Sequence, residues 1–281
     1  MTAVSVYDDR LCTLGEGPLW HPERGQLFWF DILQNRLLSR DGETALEWRF
    51  SEHVSAAGWI DHDRLLIASE TQLFAFNLLS GQSDHICALE ADQSGTRSND
   101  GRADPQGGFW IGTMGKHAEA GMGAIYRYHR GELRKLFSGI TISNAICFAP
   151  GGGLAYVTDT VTQVINKVRL DGNGWPAAQP EPHIDLRSED LNPDGAVVDA
   201  DGCLWNAQWG AHRIARYNTH GAFVGDIIFP AGQISCPAFG GPDLTTLFAT
   251  SAQEGMDGTD DGLTYFARTA SRGVAEPRVQ L

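Results

Sequence analysis

Glu16, Asn99, Asn144 and Asp194 are the residues of this 281-residue chain whose types and spacing point most directly to chemistry. Each opens the same recurring pattern: a polar residue, a short apolar run, a turn of Asp, Pro or Gly, and a second apolar run. Asn99 opens the stretch that runs to Gly112, Asn144 the stretch to Val157, and Asp194 the stretch to Ala207. The same frame fits from Glu16, Ala56 and Cys236. Where equivalent positions of a repeat meet, two carboxylates and two amides converge. Carboxylates gathered in a desolvated space repel, so either one holds a proton or a cation sits between them. Glu16, Asn144 and Asp194 offer three hard oxygen ligands whose two negative charges match a divalent ion. Oxygen-only sets suit Ca²⁺, Mg²⁺ or Mn²⁺ rather than structural zinc. Three protein ligands also leave positions open for water or substrate, as catalytic metal sites do. Taken singly, Asp and Asn before Gly or a strand are most often turn residues bonding their own backbone; it is the shared register that favours a site.

The elements that position these residues follow from the register. Its members, 16, 56, 99, 144, 194 and 236, are spaced by 40, 43, 45, 50 and 42 residues. That is the period of a four-stranded propeller blade. Each repeat begins as a β-hairpin. A third strand follows in most, as at 72–76, 123–128, 163–168 and 213–217. A fourth is weaker, and no window of a dozen residues carries a helical period. The fold expected is all-β, a six-bladed β-propeller spanning residues 1–281 as one domain, with a central metal-binding channel. Because open sheets leave exposed edges, Ala3–Tyr7 is expected to close the ring on the C-terminal repeat. A β-sandwich or two unrelated β domains is the alternative.

Composition narrows the function. With 21 Lys+Arg against 35 Asp+Glu the formal charge is −14, which argues against a nucleic-acid partner. No apolar run is long enough for a membrane span, and the first ten residues lack the basic and apolar regions of a signal peptide. A cytoplasmic protein is expected. The cysteines, Cys12, Cys87, Cys147, Cys203 and Cys236, form no CxxC pair and read as small apolar strand residues. There is no GxSxG elbow and no HExxH. His117 and His212 are expected at the surface of loops. The run Asp257–Gly262 resembles a calcium loop but has Arg268 at the twelfth place, and reads as a solvated acidic turn.

The segments Leu14–Trp20, Arg97–Gly101, Ile142–Asn144 and Asn192–Gly195 together resemble the signature segments of the regucalcin/gluconolactonase family of sugar lactonases, in the right order over nearly the whole chain. The resemblance implies a six-bladed propeller with one divalent cation (Ca²⁺, Mg²⁺, Mn²⁺ or Zn²⁺) in its channel. It implies Glu16, Asn144 and Asp194 as metal ligands, and Arg97, Asn99 and Glu119 as substrate contacts. The activity implied is hydrolysis of an aldonolactone to its aldonic acid. A carboxylate touching the metal can also reach the attacking water, so Asp194 is expected as general base, and Trp209 is placed either to stack on the sugar or to pack. The loops 115–122 and 209–213 are expected to read the lactone. A hydrolase of other esters or organophosphates, and a non-catalytic calcium-binding or interaction propeller, are the alternatives. Neither the lactone nor the oligomeric state follows from the residues.

Overall fold

A computed structural model describes residues 3–281; Met1 and Thr2, part of the stretch read for a signal peptide, lie outside it. The described residues form six antiparallel four-stranded sheets arranged as a six-bladed propeller. The innermost strands are Gly15–His21, Val54–Asp61, Thr96–Ala103, Ser143–Phe148, Asn192–Val198 and Gln233–Gly240, which we number as blades 1 to 6. Each blade runs outward strand by strand, except blade 6, whose outermost strand is Val4–Asp8 from the N-terminal end. That strand pairs with Thr264–Arg268, Val4 facing Ala267 and Val6 facing Tyr265. The ring is therefore closed by the expected segment. Among the described residues the only helical elements are three single 3₁₀ turns, and no helix is long and apolar enough to cross a membrane.

Strand alternation builds the core. In the strand Gln26–Asp31, Leu27 and Trp29 point to one side and Phe28 and Phe30 to the other. All four are fully buried, because each blade is sandwiched between two neighbours. Phe28 and Phe30 pack with Leu65, Ile67 and Phe74 of blade 2, while Leu27 and Trp29 pack with Ala238 and Phe248 of blade 6. The other four blade junctions each hold an apolar cluster of their own. The outermost strands, such as Ser83–Ala88 and Glu132–Ile140, are largely exposed, which is why their sequence pattern is faint.

The Asp-containing turns are stapled by side chains. Asp104 accepts the backbone N–H groups of Gln106 and Gly108 and the indole N–H of Trp110. Asp199 does the same for Asp201, Cys203 and Trp205. An Asp that satisfies its own turn and a Trp six residues on fixes the hairpin and seats the ring between blades.

Residues 269–281 form a strap that no repeat pattern announced. It crosses the ends of the innermost strands opposite those that carry Glu16 and Asn144. Gly273 N donates to Leu244 O at 2.8 Å and Arg272 O accepts from Ala200 N at 2.8 Å. The Trp59 indole donates to Glu276 O at 2.8 Å, and Gln280 N donates to Gly107 O at 2.8 Å. Blades 6, 5, 2 and 3 are thus tied together. The Glu276 side chain enters the axis and pairs with Arg102, both buried. Breaking a buried pair leaves an uncompensated charge and costs about 3–5 kcal/mol. Glu276→Ala is therefore expected to lower unfolding stability by about that amount, read from urea denaturation midpoints; an unchanged midpoint would show that the pair contributes nothing.

Candidate active site

Every innermost strand carries a β-bulge near its start, and the bulges bring side chains to the axis. In blades 1 and 4 the last paired residues before the bulge are Glu16, opposite Phe30, and Asn144, opposite Thr158. In blades 3 and 5 those positions are held by Ser98 and Pro193, and Asn99 and Asp194 come one residue later, inside the bulge. Cys236 is later by one more. The six aligned residues therefore do not share one structural position, as the sequence register had it. The extra residue of a bulge breaks strict alternation, so neighbouring positions can face the same space. Gly17 and Ala145, which follow Glu16 and Asn144, take left-handed φ values of 54° and 56°. A side chain at Gly17 would also collide with the carbonyl oxygen of Ser55.

Matching clamps hold the entry to blades 1 and 4. Asp31 accepts the N–H groups of Thr13 and Leu14, both at 3.1 Å. Asp159 accepts those of Thr141 and Ile142, at 2.8 and 3.0 Å. Each clamp grips the two residues that come just before the strand, so Glu16 and Asn144 leave fixed backbones.

Glu16, Arg97, Asn99, Asn144 and Asp194 line one cavity of about 640 Å³. The hub residues are buried, with Glu16 4%, Asn144 3% and Asp194 5% exposed. Hydrogen bonds orient the amides. The Thr160 hydroxyl donates to Pro193 O at 2.8 Å, so it accepts from Asn144 Nδ2 at 2.9 Å and leaves Asn144 Oδ1 facing the hub. Asn99 Nδ2 donates to Ser143 O at 2.9 Å and to Asn144 Oδ1 at 3.2 Å, while Asn99 Oδ1 accepts from an Arg97 terminal nitrogen at 2.8 Å. Arg97 Nε is buried without a partner.

The axis carries uncompensated charge. Glu16, Asp194, Asp100 and Glu276 are buried carboxylates, and Arg97 and Arg102 are the buried guanidinium groups among them. With every one of these groups ionised, two negative charges would be left over. Burial, then the Asp100 charge, pushes the Glu16 carboxyl up to about 8, against the Gly17 N–H and Arg97. Burial, then Glu16, drives Asp194 well above the usual carboxylate range, and burial lifts Asp100 to about 6. A divalent cation fits this donor set: two carboxylates and an amide oxygen already turned inward, with a deficit of two positive charges. Among the described residues no group of three His, Cys, Asp or Glu offers a competing metal nest.

Glu119 is not brought into the cavity. It is exposed, and its carboxylate folds back to accept the backbone N–H of His117 at 3.0 Å. Its loop turns at Ala118, so that Lys116, His117 and Ala118 form the wall instead. Trp209 is half-buried on the cavity wall and also packs against an apolar cluster. His212 bonds Pro230 O and does not line the cavity. Thr160, Lys116 and Glu254 were not foreseen. They lie on loops outside the repeated hairpin frame, where pattern reading has nothing to match.

A carboxyl whose pKa rises on folding keeps a proton that the unfolded chain has released. Its contribution to stability is complete below about 4.5 and is lost as pH rises toward about 8. The buried His21 and the half-buried His53 and His183 are pushed below their ordinary 6.5, and they act in the opposite sense only below that value. Chelator-treated protein is therefore expected to melt at falling temperature between about pH 6.5 and 8, with saturating divalent metal abolishing the fall. A level or rising melting temperature in the metal-free protein would contradict the hub electrostatics.

Comparison with known proteins gives the family. A family model for the SMP-30/Gluconolactonase/LRE-like region matches residues 14–253. The L-arabinolactonase of Azospirillum brasilense is 34% identical over 281 aligned positions, covering 95% of this chain and 92% of that protein. The pentonolactonase of Haloferax volcanii is 31% identical, covering 92% and 88%. The crystal structure of a calcium-binding protein, regucalcin, from Agrobacterium tumefaciens str. C58 superposes with a TM-score of 0.97 at 38% identity, covering 100% of this chain and 98% of that one. The match spans the hub residues of blades 1, 3, 4 and 5, and the chain belongs to the SMP-30/gluconolactonase/LRE-like family.

Proposed function

We propose that the protein hydrolyses sugar lactones to aldonic acids, with one divalent cation held by Glu16, Asn144 and Asp194. The observation that carries this reading is the convergence of the buried Glu16, Asn144 and Asp194 side chains at one end of a single cavity. The similarity to an L-arabinolactonase and a pentonolactonase supports the substrate class. When bound, the cation supplies Lewis-acid polarisation of a carbonyl and lowers the pKa of a water.

The chain's own residues do the rest. Asp194 takes a proton from the attacking water. The water oxygen bonds to the lactone carbonyl carbon, the carbonyl becomes a tetrahedral oxyanion, and the ring C–O bond then breaks. The ring oxygen leaves as a hydroxyl, carrying the proton returned from Asp194. The Arg97 guanidinium offers N–H donors toward the cavity and fixes Asn99 through its amide oxygen. Donors positioned before the reaction stabilise the oxyanion without reorganising. Arg97, Asn99 and Trp209 orient a hydroxyl-rich ring, a better match to this wall than an acyl chain. The cation belongs to the hard set Ca²⁺, Mg²⁺ or Mn²⁺, with Zn²⁺ the remaining candidate.

Asp194→Ala is expected to cut lactone turnover by at least about a hundredfold and to weaken metal binding, measured by acid release and by titration calorimetry. Chelation is expected to abolish acid release, and added metal to restore it. Full turnover in the variant with metal retained would defeat the assignment. Metal binding by the wild type without hydrolysis of any lactone would leave a calcium-binding propeller instead.

A further inference from the structure

Glu254 stands apart from the other carboxylates of the cavity. It follows the strand Thr246–Ala252 of blade 6, and it lines the same cavity as Glu16 and Asp194. Its backbone is pinned to the segment that leads into blade 1. Glu254 N donates to Thr13 O at 3.0 Å, and Gln253 N donates to Cys12 O and Thr13 O, each at 3.1 Å. Met256 N closes a turn on Gln253 O at 2.9 Å. The main chain is therefore held on both sides of a side chain that is exposed to the cavity.

The other acidic groups at this site have defined work. Glu16 accepts the Gly17 N–H at 2.8 Å, and Asp194 shares the hub. Glu70, behind the wall, holds Lys116 Nζ at 2.5 Å. The Glu254 carboxylate makes no hydrogen bond or ion pair among the described residues, although its charge reaches Arg97. A carboxylate held on such a backbone with open lone pairs is arranged for a ligand rather than for the fold.

We propose that Glu254 is a specificity-determining residue, accepting hydrogen bonds from ring or chain hydroxyls of the lactone at the end away from the reacting carbonyl. The position follows from depth: Glu16 and Asp194 lie buried at the floor, and Glu254 lies exposed nearer the mouth. An ionised carboxylate has acceptors only, and two O–H groups of a diol can donate to it together. The same charge repels a substrate whose far end is itself a carboxylate. The site would thus favour neutral polyhydroxy lactones and discriminate against lactones of sugar diacids. This inference rests on the lactonase reading and extends it to a part of the substrate that the hub does not touch.

The test compares the metal-loaded wild type with Glu254→Gln and Glu254→Ala on two substrates, a neutral hexono-1,4-lactone and a hexaro-1,4-lactone bearing a terminal carboxylate. Both variants are expected to raise KM for the neutral lactone by about tenfold, the scale of a charge-assisted hydrogen bond, with a smaller change in kcat. They are also expected to narrow the preference in kcat/KM for the neutral over the acidic lactone. An unaltered KM and an unaltered preference in both variants, with the wild type active, would overturn the assignment of Glu254 and leave the lactonase reading standing. A wild type that opens neither lactone would overturn the lactonase reading, and this inference with it. Equal melting temperatures and equal metal affinities in the three proteins confirm that the effect arises at the substrate.

Discussion

Like charge forced together at the hub is the constraint on which the rest of this molecule depends. Closing six sheets into a ring places the starts of six innermost strands around one axis, whatever residues they carry. Here the ring brings Glu16, Asp194 and Asp100 into low-dielectric space with only Arg97 and Arg102 to oppose them, and Glu276 adds a further carboxylate from the far side. Hydrophobic packing between blades supplies the stability that tolerates this arrangement. Every blade junction has its own apolar cluster, so the repulsive centre sits inside a rigid wall. A cation held at such a centre would relieve the repulsion that burial strengthens.

Local chemistry then decides where each oxygen points. Asp31 and Asp159 grip the chain just ahead of Glu16 and Asn144, and the bulges with left-handed Gly17 and Ala145 turn those residues inward. Thr160 spends its proton on Pro193 O and so dictates which end of the Asn144 amide faces the hub. Arg97 sets Asn99 in the same manner. None of these contacts is strong in isolation. Together they turn the Asn144 amide oxygen toward the hub and hold Asn99 beside Arg97 on the cavity wall.

Much of this was legible in the residues because a propeller is a repeat. Period, hairpin turns and ring closure follow from the spacing and from edge-strand physics, and the structure has all three. The identity of the hub residues was legible as well, since few side chains other than oxygen donors occupy the opening position of four repeats. Their exact register was not. Asn99 and Asp194 lie one residue deeper than Glu16 and Asn144 because a bulge adds a residue without leaving a mark in the hydrophobic pattern. Glu119 was misplaced for a related reason: the turn at Ala118 is a loop conformation, and a loop obeys no period. The strap of residues 269–281 and the Glu254 loop lie outside the repeated frame, so nothing in one repeat could predict them from another.

The most direct measurement is the anomalous scattering of crystals grown with saturating Mn²⁺. The account predicts a single strong peak per chain on the propeller axis, within about 2.0–2.6 Å of oxygens from Glu16, Asn144 and Asp194. A hub without a peak under those conditions, or a peak bound by other side chains, would contradict it.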